Sequence, residues 1–314
     1  MKEVITLVKE TISEWSSDNA TRLSAALAYY AVFSIAPILI IIIAIVALIY
    51  GQEAAQGQIA GELRNWVGGD TAAAIQSWVQ EAGKSKSTGI WATIIGFAVL
   101  LLGATTFFGE LKNALNTIWG VTASPGHAIS AIVRDKVLSF SMVLSIAFLL
   151  LVSLVISSLL AGLSGWLATL ISLPPILWKA VDFLLSFTIT TTLFAMIFKI
   201  LPNVQLRWKD VYPGAALTAL LFTLGKSGIA WYLGTSSPGS SFGAAGSVII
   251  ILLWVYYVTC ILFFGAEFTK VFRKRYGGEV LPDKFGMFAD PLTTPGMATA
   301  EKNAAENKAA LVGK

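Results

Sequence analysis

Charge is scarce in this chain: only 13% of its 314 residues are Asp, Glu, Lys or Arg, against 56% hydrophobic. Soluble globular proteins carry about 25% charge, so a water-exposed globule of this length is excluded. Cysteine and histidine are nearly absent. Cys260 is alone, so no intramolecular disulfide forms, and its place inside an apolar run marks it as inert packing. His127 is equally alone, in a loop, so no haem, zinc or iron–sulfur centre is expected, nor any other cofactor or metal. Enzyme signatures are missing as well. There is no Gly-rich phosphate loop followed by Lys and Ser or Thr, no paired set of metal ligands, and no nucleophile elbow. Basic runs such as Arg273 to Arg275 lack interleaved aromatic residues, so nucleic acid is not an expected partner. The chain reads as a non-enzyme.

Long apolar runs are what it has instead. They fall at about 24–50, 89–109, 138–169, 180–200, 212–233 and 245–270, and roughly twenty apolar residues in a helix span a hydrocarbon core of about 30 Å. Lipid offers no partner to an unpaired backbone group, and the runs are too long for barrel strands, so they should be helices. The predicted fold is an all-α polytopic membrane protein of six transmembrane helices. The first run lacks the short apolar core and cleavage site of a secretory signal and should stay in the mature protein. Loops between the runs place seventeen Lys and Arg on one side and only Arg64, Lys84, Lys86 and Lys179 on the other, with Lys226 inside a span. Positive charge resists translocation, so both termini should be cytoplasmic, as an even number of spans requires. A pI near 9.1 then reflects inner-face charge beside anionic lipid headgroups.

Three regions follow. Residues 1–18 should form an amphipathic interfacial helix, with Val4, Ile5, Val8, Ile12 and Trp15 on one face, and Asp18 or Asn19 can cap the helix after it. Residues 19–275 should hold the six spans, with an external loop at about 51–88 whose Ile59, Leu63, Trp66 and Val67, then Ile75, Trp78 and Val79, follow a helical spacing. Residues 276–314 read as a disordered cytoplasmic tail.

Charges inside apolar helices cost at least ~2.5 kcal/mol each at mid-bilayer and need an account. Lys226 falls about 18 Å along a span that begins near Gly214. Either it lines a cavity and meets an anionic group, or its stem reaches the outer headgroups. Arg22, Glu110, Lys199 and Glu267 should share the inner ends of their helices, as an inner gate for a charged substrate or as ion pairs that fix helix ends. Tyr29, Tyr30 and Ser34 join Lys226 as residues of a candidate substrate path. Pro37 removes a backbone hydrogen bond mid-helix, and Gly225, Gly228, Gly243 and Gly246 permit unwinding or close packing, so all five are hinge candidates. Other hydroxyls in the spans should mostly bond their own helix carbonyls.

Several stretches resemble a known family. Asp18, Asn19 and LSAALAYYAVFSIAP (Leu23 to Pro37), then ALNTIWG (Ala114 to Gly120), LPN (Leu201 to Asn203), LFTLGKSGIAWYL (Leu221 to Leu233) and LLWVYYVTCILFFGAE (Leu252 to Glu267) are similar, in that order, to the YihY or virulence factor BrkB family of inner-membrane proteins. Phe242 stands where many relatives are expected to have Tyr. The resemblance implies a six-helix protein of the bacterial inner membrane, with Tyr29, Ser34, Pro37, Lys226 and Glu267 on its motifs. Some members carry the label of a tRNA-processing ribonuclease, for which this sequence offers no catalytic constellation; others are associated with serum resistance or envelope lipids. The leading expectation is a transporter or lipid-translocating protein for an anionic lipid or solute, with membrane lipids as partners and small helix residues that would allow a homodimer. The alternative is a membrane scaffold that recruits partners through its tail.

Overall fold

The computed structural model describes residues 2–51, 56–57, 59–61, 63–64, 69–84, 90–124, 134, 136–146, 175–236 and 246–289. The described chain is mostly helical: α1 (Lys2–Ser17), α2 (Ala20–Tyr50), α3 (Gly69–Lys84), α4 (Ile90–Ile118), α5 (Pro175–Ile200), α6 (Trp208–Ser236) and α7 (Gly246–Tyr276). Segments of α2 (Ala20–Leu48), α5 (Phe183–Ile200) and α7 (Val248–Tyr276) are long and apolar enough to cross a membrane, with mean hydropathies of 3.1, 1.8 and 2.5. α4 and α6, each 29 residues, form where the second and fifth spans are expected. Most of the third expected span lies outside the described residues; its start is helical at Lys136–Ile146, with Met142 and Val143 buried.

The bundle is built around α7. It packs against α2 on one side and α6 on the other; α4 lies against α2, α5 lies against α6, and α1 and α3 also rest on α7. Large apolar side chains stand exposed along these helices, among them Phe33, Leu48, Leu184 and Leu224. In water such a surface would drive aggregation, but against lipid it is the expected face. Inside, a ladder of rings runs across three helices, with Phe194 of α5 edge-on to Phe222 of α6 at 6.0 Å, and Phe222 edge-on to Trp254 of α7 at 5.9 Å.

Glycine sets the spacing. On α6, Gly214 faces Thr269 and the Gly265 carbonyl of α7, while Gly265 faces Thr218 of α6, and a Cβ at either glycine would overlap those atoms. Each threonine donates its hydroxyl to the carbonyl of the glycine four residues before it, Thr218 to Gly214 and Thr269 to Gly265, both at 2.7 Å. The hydroxyls are thus satisfied within their own helix, and the two backbones approach closely. Thr11, Ser24, Thr106, Thr188, Thr192 and Thr223 also bond back to the carbonyl four residues earlier, as the hydroxyl-rich sequence led us to expect.

Of the hinge candidates, Pro37 and Gly225 stand in close packing contacts. α2 continues through Pro37, whose ring sits on Gly103 of α4; a Cβ there would lie 2.9 Å from the proline Cγ. Gly225 receives the Tyr257 phenol, which donates to the Leu221 carbonyl at 3.3 Å. Gly228 has no described atom within 4 Å of where a Cβ would stand, Gly246 is the first residue of α7, and Gly243 lies outside the described residues.

Three expectations are corrected. The chain is not purely α-helical, because β1 (Val121–Ala123) pairs antiparallel with β2 (Gly286–Phe288), Val121 opposite Phe288. Gly120, at φ 65°, ends α4 and turns the chain into this ribbon. The tail expected to be free from residue 276 is docked as far as Ala289, through β2 and a bridge between Pro282 and Val204. A three-residue strand is too short to show as periodicity, which is why composition alone misread the region. Finally, Asn19 precedes α2 in the left-handed conformation, φ 52°, with no side-chain capping bond; Asn tolerates that conformation, and its role is to turn the chain between α1 and α2.

In the loop expected to be external, α3 realises the second expected helix, with Ile75 buried. The first is only partly described; residues 59–61 and 63–64 are helical and Ile59 is buried.

These packing environments predict opposite outcomes for two glycines three residues apart. Gly225→Ala should cost about 1–3 kcal/mol by forcing Tyr257 aside, and Gly228→Ala should be neutral or stabilise by up to about 1 kcal/mol through helix propensity. Thermal unfolding of both variants in detergent checks the contrast.

Candidate functional site

Many of the charged residues of the bundle gather at one end, where α2 and α6 begin and α4, α5 and α7 finish. α1 lies antiparallel on the last turns of α7, and its acidic side chains meet the basic ones there: Arg275 bonds Glu10 at 2.8 Å and Lys274 bonds Glu14 at 3.3 Å. Lys270, almost fully buried, lies 2.6 Å from Glu14 and 2.9 Å from Asp18. Its ammonium is also 3.4 Å from Oε2 of Glu267, one turn before it on α7, but without hydrogen-bond alignment. Glu267 is 0% exposed, and neither of its carboxylate oxygens accepts a hydrogen bond among the described residues. Oxygens of Glu14, Asp18 and Glu267 lie within 4.8 Å of one another. Three carboxylates therefore crowd one buried ammonium, and the most deeply buried of them is the least satisfied.

A second polar centre lies between α5 and α6. Asn203, buried, donates its backbone N–H to Asn116 Oδ1 of α4 at 2.8 Å, and its own Oδ1 accepts from Arg134 at 3.0 Å. Arg134 in turn bonds Asp283 at 2.8 Å and lies 4.2 Å above the Phe285 ring. Just beyond, Asp210 in the first turn of α6 accepts from the Arg207 backbone at 2.9 Å, half of a capping box, and pairs with Arg273 of α7 at 2.5 Å. Removing either member of that buried pair would leave an uncompensated charge.

A family model described as virulence factor BrkB matches residues 11–284, a span that includes Glu14, Asp18, Asn203, Glu267, Lys270 and Arg273. The chain belongs to the virulence factor BrkB family. Relatives similar to it include UPF0761 membrane proteins of Cronobacter sakazakii, 31% identical over 80% of this chain and 83% of that one, of Glaesserella parasuis serovar 5, 30% identical over 67% and 68%, and of Klebsiella pneumoniae strain 342, 34% identical over 56% and 59%. No solved structure matches.

The BrkB-family landmarks that are far apart in sequence are neighbours in the fold. Asn116 of ALNTIWG and Asn203 of LPN share a hydrogen bond, and Thr259 of the last motif donates to the Ser24 carbonyl of the first at 3.2 Å. The expected inner gate is divided rather than assembled. Glu267 sits in the carboxylate cluster, Arg22 is exposed, Glu110 lies 3.5 Å from Asn113, and Lys199 donates to the Leu206 carbonyl at the second centre. Among the described residues, no hydrogen bond or ion pair joins Arg22, Glu110 or Lys199 to Glu267. Helix-end position gave their depth, but not which way around its helix each side chain points.

Path candidates divide in the same way. Ser34 is buried, whereas Tyr29 is 59% exposed and lies edge-on to exposed Phe33 and to half-buried Tyr30. Lys226 is half-buried on α6 and makes no hydrogen bond or ion pair to another described residue. Because Gly225 packs on Tyr257, Lys226 stands about 15 Å from the level of Glu267 along the helix axes. His127 lies outside the described residues.

Sequence reasoning assigned no role to Glu14, Asn116, Asn203, Asp210 or Arg273. One signal was available: Asp210 three residues after Arg207 at a helix start is a capping pattern.

Burial raises the Glu14 carboxyl, but Lys270 and then Lys274 outweigh it and hold the group below its ordinary value of 4.5. A carboxyl lowered on folding contributes stability that is present above its unfolded value and lost as pH falls through the folded one. Wild-type protein should therefore lose thermal stability below about pH 4.5 more steeply than Glu14→Gln, in melting curves recorded from about pH 6 to about pH 3.

Proposed function

We propose that this BrkB-family protein is a membrane transporter for an anionic lipid or solute, coupled to uptake of a cation at Glu267, and not an enzyme. Glu267 carries the reading. Lys270 already bonds Glu14 and Asp18, which suffices to hold α1 on α7, so a third carboxylate, fully buried, 3.4 Å from that ammonium and without a hydrogen bond among the described residues, adds more cost than fastening. A carboxylate that takes up a cation in a working cycle accounts for that cost, as intramembrane acids of pumps and transporters do. Lys226 supplies the complementary cation, half-buried and without an acidic partner among the described residues, about 15 Å away along the bundle. The Lys and Arg asymmetry supports both termini, and the charged end with them, on the cytoplasmic side of the bacterial inner membrane.

Reconstituted proteoliposomes test this with a fluorescent anionic phospholipid and with uptake of anionic solutes. Glu267→Gln should slow movement at least ~10-fold while the melting temperature holds or rises, since an uncharged isostere relieves a buried charge. Lys226→Ala should slow movement similarly. Equal losses of movement and folded yield would make both residues structural. Wild-type movement no faster than in empty liposomes, with cellular activity lost on truncation after Ala289, would make the protein a scaffold acting through its tail.

A further inference from the structure

Beside the Asn203 centre the surface opens into a cavity of about 580 Å³ whose lining includes Arg134, Lys199, Arg207, Arg273, Glu279 and Asp283. A smaller cavity of about 230 Å³ adjoins it, sharing Arg207 and Arg273 and adding Lys209. Some of this charge is spent: Arg134 on Asp283 and Asn203, and the Nη1 of Arg273 on Asp210. The rest is not. The Nε of Arg273, on a side chain only 10% exposed, is buried with no hydrogen-bond partner among the described residues. The half-buried Lys199 ammonium has a single bond there, to the neutral Leu206 carbonyl. The Arg207 side chain stands exposed while its backbone is fixed by Asp210. Against these three stands Glu279, exposed.

We propose that this cavity binds a phosphate-bearing anion. Cations on separate turns of chain, Lys199 at the end of α5, Arg207 just before α6 and the Arg273 guanidinium near the end of α7, line one space. A tetrahedral phosphate has oxygens for each of them, whereas one planar carboxylate saturates a single guanidinium fork. The volume is within the ordinary range of small-molecule pockets and far exceeds a bare phosphate, so the ligand is a phosphate ester, with the ester's organic part filling the remainder. A soluble phosphate monoester and the headgroup of an acidic phospholipid share this chemistry. The proposal deepens the transport reading by naming the anion, and rests on that reading only for what binding accomplishes.

The experiment uses the full chain in a maltoside detergent that carries no phosphate. Glycerol 3-phosphate is titrated by calorimetry, and phosphatidic acid is added in mixed micelles with native mass spectrometry as the readout. Saturable binding is expected, weakened at least ~10-fold by Arg207→Ala and by Lys199→Met, because each charge-assisted bond contributes more than a factor of ten. Arg207 is exposed, so its replacement spares the fold. Glu279→Gln should tighten binding roughly two- to fivefold by removing the opposing charge, which a folding defect would not do. Binding of the soluble ester identifies a soluble source, and retention of phosphatidic acid alone identifies the headgroup; either supports the site. Binding of neither, or wild-type affinity in both weakened variants, overturns it. Binding without transport would sink the transport reading and leave the site standing, and transport without binding would do the reverse.

Discussion

The crossing of α6 and α7, where glycine meets threonine twice, sets the distances on which the other contacts depend. The helices run antiparallel and touch at Gly214 with Thr269 and at Thr218 with Gly265. One turn towards the charged end from that contact, Asp210 arrives opposite Arg273. In the other direction Phe222 meets Trp254, and Gly225 receives Tyr257. The glycine contacts require the backbones as close as a missing Cβ permits. Lipid supplies no hydrophobic drive for helices to associate, so close packing of this kind is the main source of attraction between them.

Charge is arranged under the same constraint. Ionic groups cannot be scattered along lipid-facing helices without a cost of several kcal/mol each. Here many of them converge where the helices end, and α1 turns its acids towards the last turns of α7 while Ile5 and Ile12 remain exposed. That arrangement fixes α1 with its acids already partnered. It also isolates two features that helix fastening does not require: the Glu267 carboxylate and the Arg273 Nε, neither hydrogen-bonded among the described residues.

Apolar run length makes the helices readable from the residues alone, because one-dimensional hydropathy is what a bilayer selects. α2, α5 and α7 follow their runs closely, and the amphipathic spacing around Ile75 matches α3. The polar centres are less legible for a definite reason. Lys270 three residues after Glu267 is visible on one helix, but its bond to Asp18 spans 252 positions, and that between Asn203 and Asn116 spans 87. Nothing local in those asparagines distinguishes a buried hub from a loop residue. The inner-gate candidates share no hydrogen bond or ion pair among the described residues because depth along a helix is set by counting, whereas facing depends on packing against partners the sequence does not name. Gly214 and Gly265 are hard to single out for a related reason: neither is the only glycine on its helix, and the motif exists only when its threonine and the opposite helix are considered together.

The ribbon between β1 and β2 has a mechanical consequence. It joins the end of α4 to the chain that leaves α7, and the bridge at Val204 and Pro282 adds the turn between α5 and α6. Backbone hydrogen bonds weaken steeply with small changes in length and angle, so this stitching resists separation at one end of the bundle. Helices sewn together at one end move like the arms of tweezers, with displacement growing along their length. For arms of about 43 Å, as 29 residues of helix give, a tilt of roughly 10° shifts the free tips by about 7 Å and the sewn ends hardly at all.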